Sequence, residues 1–309
     1  MKEIEVLSVN ISVKKGTVKI PVKSIDLTEK GVETDAHSGS WHRQVSLLGN
    51  ESFEKFSIQA KRKINFGEFA ENITTKGVLL YETRPFDRFK GKSVELMVTQ
   101  IGKKCHGDSC AIFKEVGNCV MPKEGIFARV IKNGKLKAGD KLKYIPKVFR
   151  ITVVTLSDRA SSGEYADLSG PRIKEITEEH FMNLGYKTDF HMKIIPDDVK
   201  ELEKIIKKEI DKSDVIFTTG GTGIGPRDIT IETVKPLVGK EIPGIMEFIR
   251  MKYGAEKPNA LLSRGIAGVS GKSLIYTLPG SVKAVNEYLA EINKTMYHLF
   301  LMMSSIDSH

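Results

Sequence analysis

Thr218-Thr-Gly-Gly-Thr-Gly-Ile-Gly-Pro-Arg-Asp-Ile-Thr230 decides the fold of the second half of this chain. It follows the apolar run Asp214-Val-Ile-Phe217, which predicts a buried parallel strand. Gly220, Gly221, Gly223 and Gly225 then remove side chains at the carboxyl end of that strand, where open α/β sheets bind ligands. Bare backbone there can approach a phosphate and offer it N–H groups. Asp228 closes the stretch with a carboxylate expected at a helix N-cap.

Two better-known glycine loops do not fit. A dinucleotide fingerprint fails because Pro226 stands where the third glycine belongs. Gly271-Lys-Ser273 lacks the P-loop glycine five positions earlier, where Ile266 stands, so Gly268–Ser273 reads as a turn between two strands. A tight strand-to-helix turn without a ligand is the plainer alternative for 218–230.

The chain has 309 residues, 40% hydrophobic and 28% charged, which suits a soluble protein of two domains. No apolar run approaches a membrane span, and the N-terminus lacks a signal-peptide core, so a cytoplasmic location is expected. Three cysteines argue for thiols or ligands, not a disulfide framework. Residues 1–148 hold 27 Lys and Arg against 17 Asp and Glu, whereas 149–309 are nearly neutral; the excess suits an anionic small molecule or, equally, a lysine-rich solvated surface. No nucleic-acid motif accompanies this charge, and neither nucleic acid nor a membrane is expected as a partner.

The charge break and Pro146 place a domain boundary near residue 148, giving domains 1–148 and 149–309. Beyond it, strands are predicted at 150–156, 187–195, 214–219 and 274–278. Helices are predicted near 169–184, 198–212, 231–238, 243–253 and 281–302. That alternation implies an α/β domain with a mainly parallel sheet covered by helices on both faces. The first half shows short alternating runs at 94–99 and 126–131, with Asn133-Gly134 as a hairpin signal, and predicts a compact, mostly β, barrel-like domain.

The second half resembles the Mog-type molybdopterin adenylyltransferases. The resemblance is carried by Thr155–Gly163, Ile195-Pro-Asp-Asp198, the glycine stretch to Asp228, Glu241-Ile-Pro-Gly244, Leu262-Ser-Arg264 and Leu278-Pro-Gly-Ser281. Ile231 departs from the family's usual proline, which would only preset a helical turn. The resemblance implies a molybdopterin-binding fold and transfer of AMP from ATP to molybdopterin, with release of pyrophosphate. It makes Asp197 and Asp228 catalytic, holding Mg²⁺ through oxygen and water. Asp197 is also expected to cap the helix beginning at Asp198. Ser157, Asp158 and Arg159 would shape the nucleotide or pterin pocket. Thr219, Gly220, Gly221, Thr222 and Gly223 would line the pterin phosphate site, and Pro279, Gly280 and Ser281 would begin a helix whose positive end faces an anion. A homotrimer through this domain is implied, with molybdenum insertase and molybdoenzymes as protein partners.

Residues 1–148 resemble the MOSC domain of molybdenum cofactor sulfurases. Gly31–His37, Arg43–Leu48, Phe66–Ile73, Thr99–Cys105, Gly125–Val130 and Gly139-Asp140 carry that resemblance. It implies a pocket with Asp35, His37, Arg43 and Lys104, and a functional Cys105 that carries sulfur or binds the molybdenum cofactor. Lys103 and Lys104 would stabilise its thiolate. Cys105, His106, Cys110 and Cys119 also permit a structural metal site, though not at a standard spacing. His37 and His42, flanking Trp41, read either as surface-loop residues with ordinary packing roles or as a further pocket edge.

The fusion is therefore expected to act in molybdenum cofactor biosynthesis. Two other readings remain open at this level. One is a non-enzymatic carrier of finished cofactor. The other is a nucleotide hydrolase of the competence-damage family on the same C-terminal fold, whose glycine loop continues with acids where this chain has Pro226-Arg227.

Overall fold

A computed structural model describes residues 2–104 and 120–306. The chain divides into two compact units, Met1–Lys147 with Ser304–His309, and Val148–Met303. The sequence boundary near 148 assigned everything to 309 to the second domain. In the structure the segment from Ser304 groups with the first unit, where Arg129 donates to the carbonyls of Ser304 (2.8 Å) and Ser305 (2.9 Å).

The first unit is a closed barrel. Its strands, in chain order, are β1 (Glu3–Ile11), β2 (Ile20–Val22), β3 (Ile25–Thr28), β4 (Gly31–Val32), β5 (Val45–Gly49), β6 (Ile73–Lys76), β7 (Arg88–Lys90), β8 (Glu95–Ile101), β9 (Ile126–Lys132), β10 (Gly134–Leu136) and β11 (Lys141–Ile145). The order β11-β7-β8-β9-β5-β6-β1 is closed by pairing of β1 with β11, and β2 extends β1. Closure removes the unpaired edges that an open sheet leaves. Ile4, Val6, Leu47, Ile73, Phe89, Leu96 and Val98 point inward and are fully buried. Leu48, one residue from Leu47, points to the other face, where Phe53, Phe56 and Phe69 form a second cluster beneath helix Asn50–Ala60. This alternation makes β5 buried on both faces.

The Asn133-Gly134 hairpin is not formed. Only Asn133 separates β9 from β10, and β10 pairs with β3, Gly134 opposite Leu27. A two-residue hairpin turn of the Asn-Gly type needs positive φ at both residues, and neither has it. The small sheet β10-β3-β4 wins that pairing.

In the second unit, β12 (Val148–Leu156), β13 (Lys187–Ile195), β14 (Val215–Thr219), β15 (Lys240–Glu241), β16 (Ala267–Ser270) and β17 (Ser273–Leu278) form one sheet, ordered β13-β12-β14-β17-β16-β15. The first four pair in parallel, and β16 and β15 join antiparallel. Gly271 turns between β16 and β17 with φ +55°, the turn expected at 268–273. The two-residue β15 was not foreseen because it is too short to carry a pattern.

Alternate residues divide the sheet's two faces. Val154, Ile216 and Ile275 meet Leu202, Ile206, Ile231 and Val234 from helices Val199–Glu209 and Thr230–Val234. On the other face Phe149 stacks on Phe181 of helix Ser169–Asn183, centroids 4.3 Å apart, and meets Phe300 of helix Val282–Met303 at 4.9 Å. The parallel order brings the carboxyl ends of β12, β13, β14 and β17 to one edge. Phe181 is fully buried in the aromatic cluster. Phe181→Ala should therefore cost about 3–5 kcal/mol in chemical denaturation. A loss below ~1 kcal/mol would mean the cluster refills the space.

Candidate active site

Backbone strain and close approach explain the glycines. Gly220 has φ +98° and Gly221 φ +62°, a region costly for other residues. A Cβ on Gly220 would lie 2.3 Å from the Leu156 carbonyl oxygen, and one on Gly221 2.6 Å from Thr230 Oγ1. The loop is held from both sides. Thr230 Oγ1 donates to Gly220 O (2.8 Å) and Thr230 N to Gly221 O (3.1 Å). Arg264 N donates to Thr222 O (3.1 Å) and Arg264 Nε to Gly223 O (2.8 Å). Thr219 Oγ1 donates to Pro279 O (3.0 Å), and Gly280 lies beside Gly220, where a Cβ on it would stand at ordinary contact, 3.4 Å from Gly220 Cα.

The two expected caps are both corrected. Asp198, not Asp197, caps helix Val199–Glu209, accepting from Glu201 N at 2.8 Å. Asp228 caps no helix: Ile229 is the N-cap of Thr230–Val234 and makes no side-chain cap bond. Asp228 Oδ2 accepts from Gly225 N (2.8 Å), while Asp228 N donates to Gly225 O (3.0 Å), closing the loop on itself. Asp197 is thereby left without a capping task. Its backbone N–H donates to Asp158 Oδ1 (3.0 Å). Burial raises the Asp197 pKa above the usual carboxylate range, and the negative charges of Asp158 and Asp228 raise it further, against the pull of Arg227. Three carboxylates from three strand ends thus share one field.

Asp158 also forms an ion pair with Arg227, both partly exposed. Ser157 Oγ accepts from Ala160 N (3.2 Å) and lies 3.0 Å from Tyr165 Oη, while the Arg159 guanidinium sits 5.2 Å from the Tyr165 ring centre. Ser281 Oγ accepts from Ala284 N (3.2 Å), an N-cap contact. A cleft of about 410 Å³ opens beside Asp228, with Val199, Ile224, Pro226, Thr233 and Arg264 in its walls. Arg227, Thr230 and Arg264 were not among the sequence candidates. Leu262-Ser-Arg264 carried the signal, but its link to a loop some 40 positions earlier is visible only in the fold.

The first unit assembles a separate polar centre. Asp35 is buried and pairs with the buried Lys19. Its Oδ2 also accepts from Ser12 N (3.0 Å) and Asn72 Nδ2 (3.1 Å), and its Oδ1 from His37 N (3.0 Å) with His37 Nδ1 at 3.3 Å. Burial opposes its charge, but the bonds from His37, Lys19 and Ser12 outweigh it and hold the pKa well below the usual range. Arg43 lies 4.8 Å from the Trp41 ring and 5.8 Å from that of Phe127, its buried Nε without a protein partner among the described residues. His42 Nε2 is 3.0 Å from Gln100 Oε1. Lys104 is exposed. Cys105, His106, Cys110 and Cys119 lie outside the described residues. Among the described residues no group of three or more His, Cys, Asp or Glu is placed to hold a metal.

Glu71 was missed by the sequence reading. It is fully buried; Oε1 accepts from Gly67 N (2.5 Å), Thr74 Oγ1 (2.9 Å) and Asn10 Nδ2 (3.2 Å), and Oε2 has no partner among the described residues. Burial pushes its pKa up to about 7.

With the geometry in place, two family patterns match the chain. Residues 34–143 match the MOSC domain, and 152–298 match the family described as "Probable molybdopterin binding domain". The molybdopterin adenylyltransferase of Helicobacter pylori J99 is 41% identical over 148 residues, 47% of this chain and 82% of that protein. The molybdopterin adenylyltransferase of Pyrococcus furiosus is 38% identical over 162 residues, 51% of this chain and 92% of the relative. Gephyrin of Dictyostelium discoideum is 37% identical over 162 residues, which span 22% of its length. The class is thus a MOSC domain joined to a molybdopterin-binding domain. Through its second domain the chain belongs to the molybdopterin adenylyltransferase family. Among the described residues no helix is long and apolar enough to cross a membrane.

The Glu71 environment predicts a pH signature. Its carboxyl ionises near 4.5 unfolded and near 7 folded, so between these values the folded state holds the extra proton. Stability contributed by the protonated form is complete below about 4.5 and is lost as pH rises through 7, a tenfold difference in proton affinity being worth about 1.4 kcal/mol. Asp35 has the opposite sign and titrates below this window. Glu71→Gln keeps the acceptor and should flatten stability against pH between 4.5 and 7 relative to wild type. Parallel curves for the two proteins would refute this.

Proposed function

We propose that the second domain transfers the adenylyl group of ATP to molybdopterin and releases pyrophosphate. The observation carrying this reading is the grouping of Asp158, Asp197 and Asp228 beside the glycine loop, with Asp197 free of capping and raised in pKa. An oxygen of the molybdopterin terminal phosphate attacks the α-phosphorus of ATP. A new P–O bond forms, the α–β bridging P–O bond breaks, and its electron pair leaves with pyrophosphate. The loop from Thr219 to Gly223 supplies backbone donors for the pterin phosphate, and Pro279-Gly280 flanks it. Ser157, Asp158 and Arg159 shape the adjoining wall, and Arg227 adds positive charge near the reacting phosphates. Asp197 is raised by burial first and by the neighbouring carboxylates second; Mg²⁺ held by Asp197 and Asp228 would offset that negative charge and charge on the transferring phosphoryl group. Arg227 pairs with Asp158 and would release it when anionic substrate competes for the guanidinium.

The first domain, in this proposal, binds molybdenum cofactor or carries sulfur on Cys105, with Asp35, His37, Arg43 and Lys104 around the ligand. Arg43 Nε, buried and unpartnered among the described residues, supports an anion contact there. A cytoplasmic homotrimer that hands product to molybdenum insertase completes the proposal.

Incubation with molybdopterin and Mg-ATP, followed by mass analysis, should yield AMP–molybdopterin. Hydrolysis of ATP without that product favours a nucleotide hydrolase, and bound cofactor without turnover favours a carrier. Asp228→Asn keeps an acceptor for Gly225 N–H, so the fold should persist while turnover falls at least about 100-fold. Wild-type turnover in the folded variant would reduce Asp228 to a loop closure. Cys105→Ser should abolish sulfur transfer or cofactor binding by the first domain and leave adenylyl transfer unchanged, since 149–309 contain no cysteine. Loss of bound zinc and unfolding in all three cysteine variants would instead identify a structural metal site.

A further inference from the structure

Four consecutive carbonyls of the glycine loop are occupied within the protein. Gly220 and Gly221 give theirs to Thr230, and Thr222 and Gly223 give theirs to Arg264. There are no cis peptide bonds among the described residues. In a trans peptide plane the N–H points opposite to the C=O. The N–H groups of Gly221, Thr222, Gly223 and Ile224 are therefore turned away from Thr230 and Arg264. Among the described residues none of the four has an acceptor. Unclaimed donors on successive residues form the kind of concavity that binds anions.

We infer that Arg264 is a positioning residue: by holding the loop's carbonyls it aims the opposite row of N–H groups at the substrate phosphate, which it does not itself touch. This inference rests on the proposed adenylyl transfer. The side chain acts at three points. Nε holds Gly223 O, Nη2 reaches Asp228 O at 3.3 Å, and the guanidinium pairs with Glu232, whose Oε2 is 3.2 Å from Nη2. The backbone N–H of Arg264 adds Thr222 O. One planar group thus fixes the Gly223 carbonyl, and with it the direction of the Ile224 N–H, together with the main chain that carries Asp228. Lysine cannot reproduce this, because its ammonium is a single point on a flexible stem. Glu232 keeps the guanidinium in plane from the first helical turn after the loop. Thr230 holds Gly220 and Gly221, and the Arg264 backbone N–H holds Thr222, so losing the Arg264 side chain should loosen the Gly223–Asp228 portion and leave the first three carbonyls anchored.

The test uses the full-length protein and three variants: Arg264→Ala, Arg264→Lys and Glu232→Gln. Arg264→Ala should raise the KM for molybdopterin by about tenfold or more, as expected for lost charge-assisted hydrogen bonds, with a smaller change in the KM for ATP. Amide hydrogen exchange at Gly225 and Asp228, whose N–H groups are bonded within the loop, should quicken, while the strands of both units keep wild-type protection. Arg264→Lys should fall between, and Glu232→Gln should stay nearest wild type because it leaves the carbonyl contacts in place. A folded Arg264→Ala protein with wild-type KM and wild-type loop exchange overturns the inference. Should the alanine variant not fold, the lysine variant decides by the same two readouts. If wild-type protein forms no AMP–molybdopterin, the enzymatic reading fails. Loop exchange and binding of inorganic pyrophosphate by the variants then judge the positioning role on their own: unchanged values overturn it, and quickened exchange with weaker binding supports it.

Discussion

Nothing larger than hydrogen fits on Gly220, and the geometry of the second domain's site depends on that fact. The Leu156 carbonyl at the end of β12 crowds it, and Gly280, just beyond β17, lies in ordinary contact with its backbone. The ends of β12 and β14 close on each other because Gly220 bears no side chain there. The parallel register then delivers Asp158, Asp197 and Asp228 to the same edge. A methyl at Gly220 would meet the Leu156 carbonyl oxygen at 2.3 Å, so the ends of β12 and β14 would have to part.

The two domains manage buried polarity differently. The barrel places a paired Lys19–Asp35, two asparagines and Glu71 in its interior and satisfies nearly all of them with hydrogen bonds. Such networks are costly when incomplete, and the unpartnered Glu71 Oε2 is accommodated by a pKa near 7, which favours the neutral acid. The α/β domain keeps its carboxylates at the exposed sheet edge. There Arg227 offsets part of the repulsion between them. One domain thus hides charge by pairing or neutralising it, and the other leaves charge ready for a ligand.

Much of this was legible in the sequence. The apolar run before Gly220, the alternation of strand and helix, and the failure of the P-loop and dinucleotide patterns follow from local physics. β-branched residues extend, glycines permit positive φ, and proline excludes a third-glycine role. The positions of Asp197 and Asp228 after their strands were also readable, because parallel sheets gather such positions at one edge. Their local tasks were not. Whether Asp197 or Asp198 caps a helix depends on where the first turn starts, a difference of one residue. Asp228 turned back to Gly225 because Ile229 occupies the cap position.

The sequence by itself determined the two-domain plan, the glycine loop and the carboxylates beyond the strands, because each is written in neighbouring residues. Only the tertiary structure decided that Asn133-Gly134 bends toward β3, since a turn signal cannot say which strand will be the better partner. Only tertiary structure joined Arg264 to Gly223 and Asp228, and Glu71 to Gly67 and Asn10. Arginine and glutamate have no local pattern that distinguishes a solvated charge from a buried clamp. The distinction arises when distant segments exclude water from between them and leave backbone groups as their partners.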